Sequence, residues 1–234
     1  MGCGSHSCKN LRGTLLNVSD SIEVPIRALP RGPHGLSREE VTGSQSERML
    51  WAMTEAVSEK GYTATTVADV ISRAGVSRTT FYQIFTDKLA CFLAANEIAS
   101  AMLIAHLENE INQINAIEGL TLPRRLERLL SRYLEAIEEL ALFAKVYLVE
   151  VYAAGTKAVE QRRRLLGRFI DMVVDSGWTD GVEGIDREEM RAITQIVVSA
   201  VSLQATTALA VDDLALLKDI KDSVTITIDR LLPQ

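Results

Sequence analysis

From Ser44 onward the apolar side chains recur at the period of an α-helix. Met49, Ala52, Met53, Ala56 and Val57 fall on one face of a first helix, and Gly61 stops the run. A short second helix follows, capped by Thr66, with Val67, Val70, Ile71 and Ala74 inward and Gly75 at its end. Ser77 stands at the cap of a third, which turns Phe81, Ile84 and Phe85 inward. Asp87 caps a much longer fourth helix, running through Phe92, Ala95, Ile98, Ala99 and Met102 towards Ile111. The same pattern predicts helices over 122–139, 140–153, 156–176, 186–210 and 212–232, jointed at Gly119, Gly155, Gly177 and the Asp212–Asp213 pair. Val224 to Ile228 alternates like a strand, but no partner strand is visible, so helix is expected. The pattern predicts an all-α fold in two parts behind an irregular leader.

The leader, residues 1–43, is punctuated by glycines and by Pro25, Pro30 and Pro33. A small domain is expected over 44–90 and a larger one over 91–234. With 47% hydrophobic and 24% charged residues the composition is that of an ordinary globular protein. No apolar run comes near the roughly 18 residues of a spanning helix, and Met1 to Asn17 lacks the apolar core of a secretory signal. A cytoplasmic address and no membrane partner are expected. Cys3, Cys8 and Cys91 are read as free thiols in a reducing compartment, with Cys3 and Cys8 as half a metal site the alternative.

The net charge of -6 is unevenly spread. Residues 27–90 carry eight basic side chains against seven acidic ones, whereas residues 91–234 carry fifteen against twenty-two. The acidity belongs to the C-terminal part and leaves the N-terminal part free to meet nucleic acid.

The stretch from Gly61 to Phe85 carries the most chemistry. Two short helices that cross steeply need a glycine able to take φ > 0 and an apolar plug between them, and Gly75 and Val76 supply both. The second of the pair buries Phe81 and Phe85 and leaves Ser77, Arg78, Thr79, Thr80, Tyr82 and Gln83 outward, a set suited to base edges in a major groove. Arg78 can grip guanine or a phosphate, Gln83 can read adenine, and a threonine methyl can rest on thymine. Tyr82 and Lys88 are placed for phosphates, Lys88 beside a helix N-terminus. Thr66, Arg48 and Arg38 complete the candidate DNA-binding residues. Arg27, Arg31, His34 and Arg38 form a basic arm that suits either minor-groove insertion or a plain linker.

These residues resemble the TetR-type regulators. Gly-Tyr-x-x-Thr-Thr-Val-x-Asp-Val, Ala-Gly-Val-Ser and Phe-Tyr-x-x-Phe-x-x-Lys stand between Gly61 and Lys88 at that family's spacing, and the likeness runs over about Gln45 to Asn96. It implies a helix-turn-helix of three helices ahead of a larger helical ligand-binding and dimerisation domain. It also implies a homodimer on a two-fold symmetric operator in double-stranded DNA, and repression relieved by a small effector. Ile84 and Leu89 depart from the family's usual residues, and Ile84 cannot donate to phosphate.

In the C-terminal part, Leu214, Leu217, Val224, Ile228 and Leu231 form a near-heptad stripe, with Ile193, Ile196, Val197, Ala200 and Gln204 a matching face. Both are read as a four-helix dimer seam, against the alternative of an internal core face. Met102, His106, Phe143, Tyr147, Tyr152, Met172, Trp178 and Gln195 are the candidates for lining a pocket, most of them expected to be plain core. The effector is expected to be apolar or amphipathic. Glu160 to Arg164 is read as a charged helix face.

No Gly-x-Ser-x-Gly elbow, phosphate-binding glycine loop, His-Glu-x-x-His or Cys-x-x-Cys occurs, and the three histidines lie in unrelated segments. No catalytic residues, metal site or cofactor are expected. The rival to a DNA-binding regulator is an all-helical protein acting through protein partners or an effector alone.

Overall fold

The computed structural model describes residues 38–178 and 186–231, all helix and connecting turn with no strand among them. Nine helices run through these residues: α1 Arg38–Ala64, α2 Val67–Ala74, α3 Arg78–Ile84, α4 Lys88–Asn115, α5 Leu122–Glu139, α6 Ala141–Leu148, α7 Thr156–Val174, α8 Arg187–Ala210 and α9 Ala215–Leu231. The described residues fall into two units, one ending at Arg48 and the other beginning at Met49.

Of the first unit, residues 38–48 are described, and all are helical. The helix therefore starts six residues earlier than the expected Ser44. Arg38, Glu39 and Glu40 are good helix formers, and Gly43 inside the run costs about 1 kcal/mol without breaking it. Cys3, Cys8, Arg27, Arg31 and His34 lie outside the described residues.

The second unit has two apolar clusters. One gathers Met49, Met53, Val57, Val70, Phe81, Phe85, Cys91 and Phe92 with Val146, Tyr147 and Val151, so the helix-turn-helix shares its core with α6 and the turn after it. Burial pushes the Cys91 thiol up to about 12, which makes it an inert packing group. The other joins the C-terminal half of α4 to α5, α7, α8 and α9 around Leu107, Ile114, Leu130, Leu134, Val174, Met190 and Leu217. Asp186 opens α8 with a reciprocal capping box to Glu189.

Leu217, Val224 and Ile228 are 4%, 9% and 5% exposed within one chain, so the α9 stripe is an internal core face. On α8 it is Ile196 and Leu203, 70% and 67% exposed, that turn outward. An apolar stripe has the same sequence pattern in either role, which is why the periodicity did not separate them. The run Glu160 to Arg164 is not uniformly solvated, because Gln161 and Arg162 point inward. α6 ends at Leu148, and successive turns carry the chain to Gly155, whose φ of 91 no side chain adopts easily. Two helices, α4 and α8, do reach the length and mean hydropathy of a membrane-crossing segment. Both contribute buried residues to the helical clusters.

Candidate nucleic-acid interface

The helix-turn-helix is built from local capping chemistry. α1 breaks at Gly61, where φ is 80, and Thr66 caps α2 in an extended conformation. The Thr66 backbone N–H donates to Asp69 Oδ2 at 2.8 Å, and the Asp69 N–H donates back to Thr66 Oγ1 at 3.3 Å. Lys60 closes on the same carboxylate at 2.6 Å. The Lys60 ammonium, and after it the Thr66 hydroxyl, hold the Asp69 carboxyl well below the usual carboxylate range. α2 ends on Gly75 in the left-handed region, φ 63 and ψ 40, as the steep crossing requires. Ser77 then caps α3 by accepting from the Thr80 N–H at 3.0 Å.

α3 is fixed from beneath and open above. Phe81 is fully buried and Phe85 is 8% exposed, packed with ring centroids 5.7 Å apart. Arg78, Thr79, Tyr82 and Gln83 line a shallow concavity on the outer side. Tyr82 is 47% exposed, and the Arg78 guanidinium lies 5.8 Å from its ring centroid, which stiffens two of the four outward groups.

The remaining candidate DNA-binding residues divide by what the fold does with them. The Thr66, Ser77 and Thr80 hydroxyls are occupied in caps. Lys88 Nζ donates to the Tyr62 and Thr65 carbonyls at 2.8 and 2.9 Å and sits 4.0 Å over the Tyr62 ring. Two of its three donors therefore brace the helix-turn-helix from inside, and burial lowers its pKa. Arg48 is half-buried, and Arg38 opens α1. Ile84 and Leu89, the two departures from the family pattern, pack as partly buried side chains against the N-terminal cluster.

The candidate effector-lining residues do not converge. Phe143 packs on Trp51 with centroids 5.1 Å apart, and the Tyr147 hydroxyl meets Thr54 Oγ1 at 2.5 Å, so both belong to the helix-turn-helix core. Trp178 is buried in the C-terminal cluster and donates Nε1–H to Asn115 Oδ1 at 2.6 Å, while Met172 packs at its edge. Met102 and His106 are half-buried on α4, Gln195 is exposed on α8, and Tyr152 is 55% exposed in the turn after α6. His106 Nε2 is sealed off without a hydrogen-bond partner.

Among the described residues no cluster of histidine, cysteine or carboxylate side chains could hold a metal ion.

Residues 52–95, from the later turns of α1 into α4, match the family model for bacterial regulatory proteins of the tetR family. The chain carries a TetR-type helix-turn-helix. A comparison with curated proteins finds no match. Among solved structures, a TetR-family regulator from Syntrophomonas wolfei is similar at 16% identity and a TM-score of 0.65, covering 81% of this chain and 97% of that one. The fatty acid degradation regulator FadR of Bacillus halodurans is 18% identical with a TM-score of 0.61, covering 76% and 97%. FadR of Bacillus subtilis in complex with stearoyl-CoA is 19% identical with a TM-score of 0.59, covering 75% and 95%. At these identities the likeness is one of fold. It extends the TetR-type architecture from the helix-turn-helix over the helical C-terminal region.

Proposed function

We propose that this protein is a ligand-responsive transcriptional repressor that binds a two-fold symmetric operator as a homodimer and is released by a small apolar or amphipathic effector. The observation that carries the reading is the outer side of α3. Four side chains with base- and phosphate-binding chemistry, Arg78, Thr79, Tyr82 and Gln83, stand free on a short helix whose other side is locked by Phe81 and Phe85. Ser77 and Thr80 hold the N-terminal turn of that helix in place, and Lys88 sets the frame behind it.

Dimerisation is supported by the outward apolar residues of α8, Ile196 and Leu203, on a helix whose opposite side is already in the core. A two-fold dimer places two α3 helices one DNA turn apart, which a symmetric operator matches. An amphipathic effector is in keeping with the stearoyl-CoA held by one structural relative. The function is tested by incubating the full-length protein with a random duplex DNA pool and sequencing the retained fragments. Recovery of an inverted repeat supports the reading, and retention without sequence preference or symmetry defeats it.

A further inference from the structure

The exposed cations of this protein mostly answer carboxylates. Arg73 pairs with Glu59, Arg128 with Glu110, Arg168 with Glu97 and Arg191 with Asp171. Arg162 on α7 does the opposite. It is only 8% exposed, and among the described residues it forms no ion pair. Arginine keeps its charge in proteins, so burial without a counter-charge is costly unless something offsets it.

Its surroundings are hydroxyls and rings. Nη2 donates to Ser202 Oγ at 2.7 Å and to Thr206 Oγ1 at 3.1 Å, both on α8. The Tyr152 ring lies 5.7 Å from the guanidinium, in the turn after α6. Tyr133 on α5 also faces this charge: burial raises its hydroxyl pKa and Arg162 acts against that rise. Among the described residues Nε and Nη1 make no hydrogen bond, and neither is among the atoms sealed away from solvent. Three elements besides α7 thus converge on one cation and bring accepting hydroxyls and aromatic surface to it, but among the described residues no acid pairs with it. That is the composition of a site waiting for an anion.

We propose that Arg162, supported by Ser202 and Thr206 and flanked by the Tyr152 ring, binds the carboxylate head of an amphipathic small molecule. The guanidinium supplies charge-assisted hydrogen bonds through its unused nitrogens, and the Tyr152 ring beside it reaches the surface, 55% exposed. This names the chemical class of the effector and rests on the regulator reading for its regulatory meaning, though binding itself does not depend on DNA. The position is suited to signalling as well. Tyr152 lies two residues beyond Glu150, whose carboxylate accepts the Tyr62 backbone N–H at the start of the helix-turn-helix. An anion that draws Tyr152 and Arg162 together acts on the segment that holds that hydrogen bond.

The test is a thermal-shift and calorimetric titration of the full-length protein with hexanoate, decanoate and benzoate, each against hexanol, decanol and benzyl alcohol. At least one carboxylate is expected to bind ten-fold or more tightly than its alcohol, and Arg162→Gln, which keeps a donor towards Ser202 but no charge, is expected to remove that preference. Alcohols binding as well as the acids, no binding of any acid, or an Arg162→Gln protein that keeps the preference would overturn the proposal. Should Arg162→Gln fail to fold, the comparison of acid with alcohol on the natural protein still decides. Carboxylate binding without any change in affinity for the selected DNA would leave the anion site standing and count against effector-controlled release.

Discussion

Glu150 Oε2 accepts a hydrogen bond from the Tyr62 backbone N–H at 2.8 Å. The donor is the residue after Gly61, where α1 breaks with φ 80, and a Cβ on Gly61 would come within 3.3 Å of that same oxygen. The turn after α6 therefore grips the backbone at the one point where the direction of α2, and with it α3, is set. Tyr147 on Thr54 and Phe143 on Trp51 extend the contact along α1. These links give a change in the C-terminal helices a route to α3 beside the continuous rod of α4.

Glu150→Ala should cost about 1–3 kcal/mol of stability, because it removes a charge-assisted acceptor from a partly buried N–H. Gly61→Ala should cost about 1 kcal/mol or more, since a Cβ is disfavoured at positive φ and crowds the carboxylate. In the double variant the crowding is gone, so the summed loss should exceed the measured one. Urea unfolding of the four proteins reads this, and strict additivity would mean that the two residues do not act on each other.

His106 makes stability depend on pH. Burial first, and the Arg132 charge second, lower its pKa, against smaller upward pulls from Glu139 and Glu110. As pH falls, the unfolded chain takes up this proton before the folded one does, so the histidine's contribution to stability is lost from about pH 6.5 downward, until the folded form protonates as well. The urea midpoint of the natural protein should fall between pH 7.5 and pH 5.5 more steeply than that of His106→Leu. Parallel pH profiles would show that this side chain is not the titrating group.

Ile196→Glu with Leu203→Glu should yield a folded protein of half the natural mass in sedimentation, because both side chains are outward on α8. Leu217→Glu with Ile228→Glu should instead unfold it, since both residues lie in the core of a single chain and a buried unpaired carboxylate costs several kcal/mol. Circular dichroism separates the two results. A folded Ile196/Leu203 variant that still sediments as the parental species would place the dimer contact elsewhere.

The helix-turn-helix was legible in the sequence because its chemistry is local. Thr66 with Asp69, Gly75, and Ser77 with Thr80 each act within a few residues, so their spacing alone discloses caps and the crossing turn. What depended on distant partners was not legible. Lys88 looked free for phosphate until Tyr62 and Thr65 came to meet it from more than twenty residues upstream. Arg162 was hidden in a run of charges, and only the approach of Ser202 from α8 separates it from the solvated Arg163 and Arg164. Phe143 and Tyr147 read as pocket lining because bulky apolar residues on a middle helix look alike whichever cluster they join. A proximity of α6 to α1 cannot be inferred from the periodicity of either helix.

Recognition of DNA by the outward side of α3 is measured most directly as an affinity. A duplex recovered from the random pool is titrated in a mobility-shift assay with the natural protein, Arg78→Ala, Tyr82→Ala and the exposed control Arg163→Ala. Each base or phosphate contact is worth roughly 1–3 kcal/mol. Arg78→Ala and Tyr82→Ala are each expected to bind about ten-fold or more weakly with unchanged thermal stability, and Arg163→Ala to bind like the natural protein. Natural affinity in both α3 variants, with both folded, would contradict recognition by this side of α3.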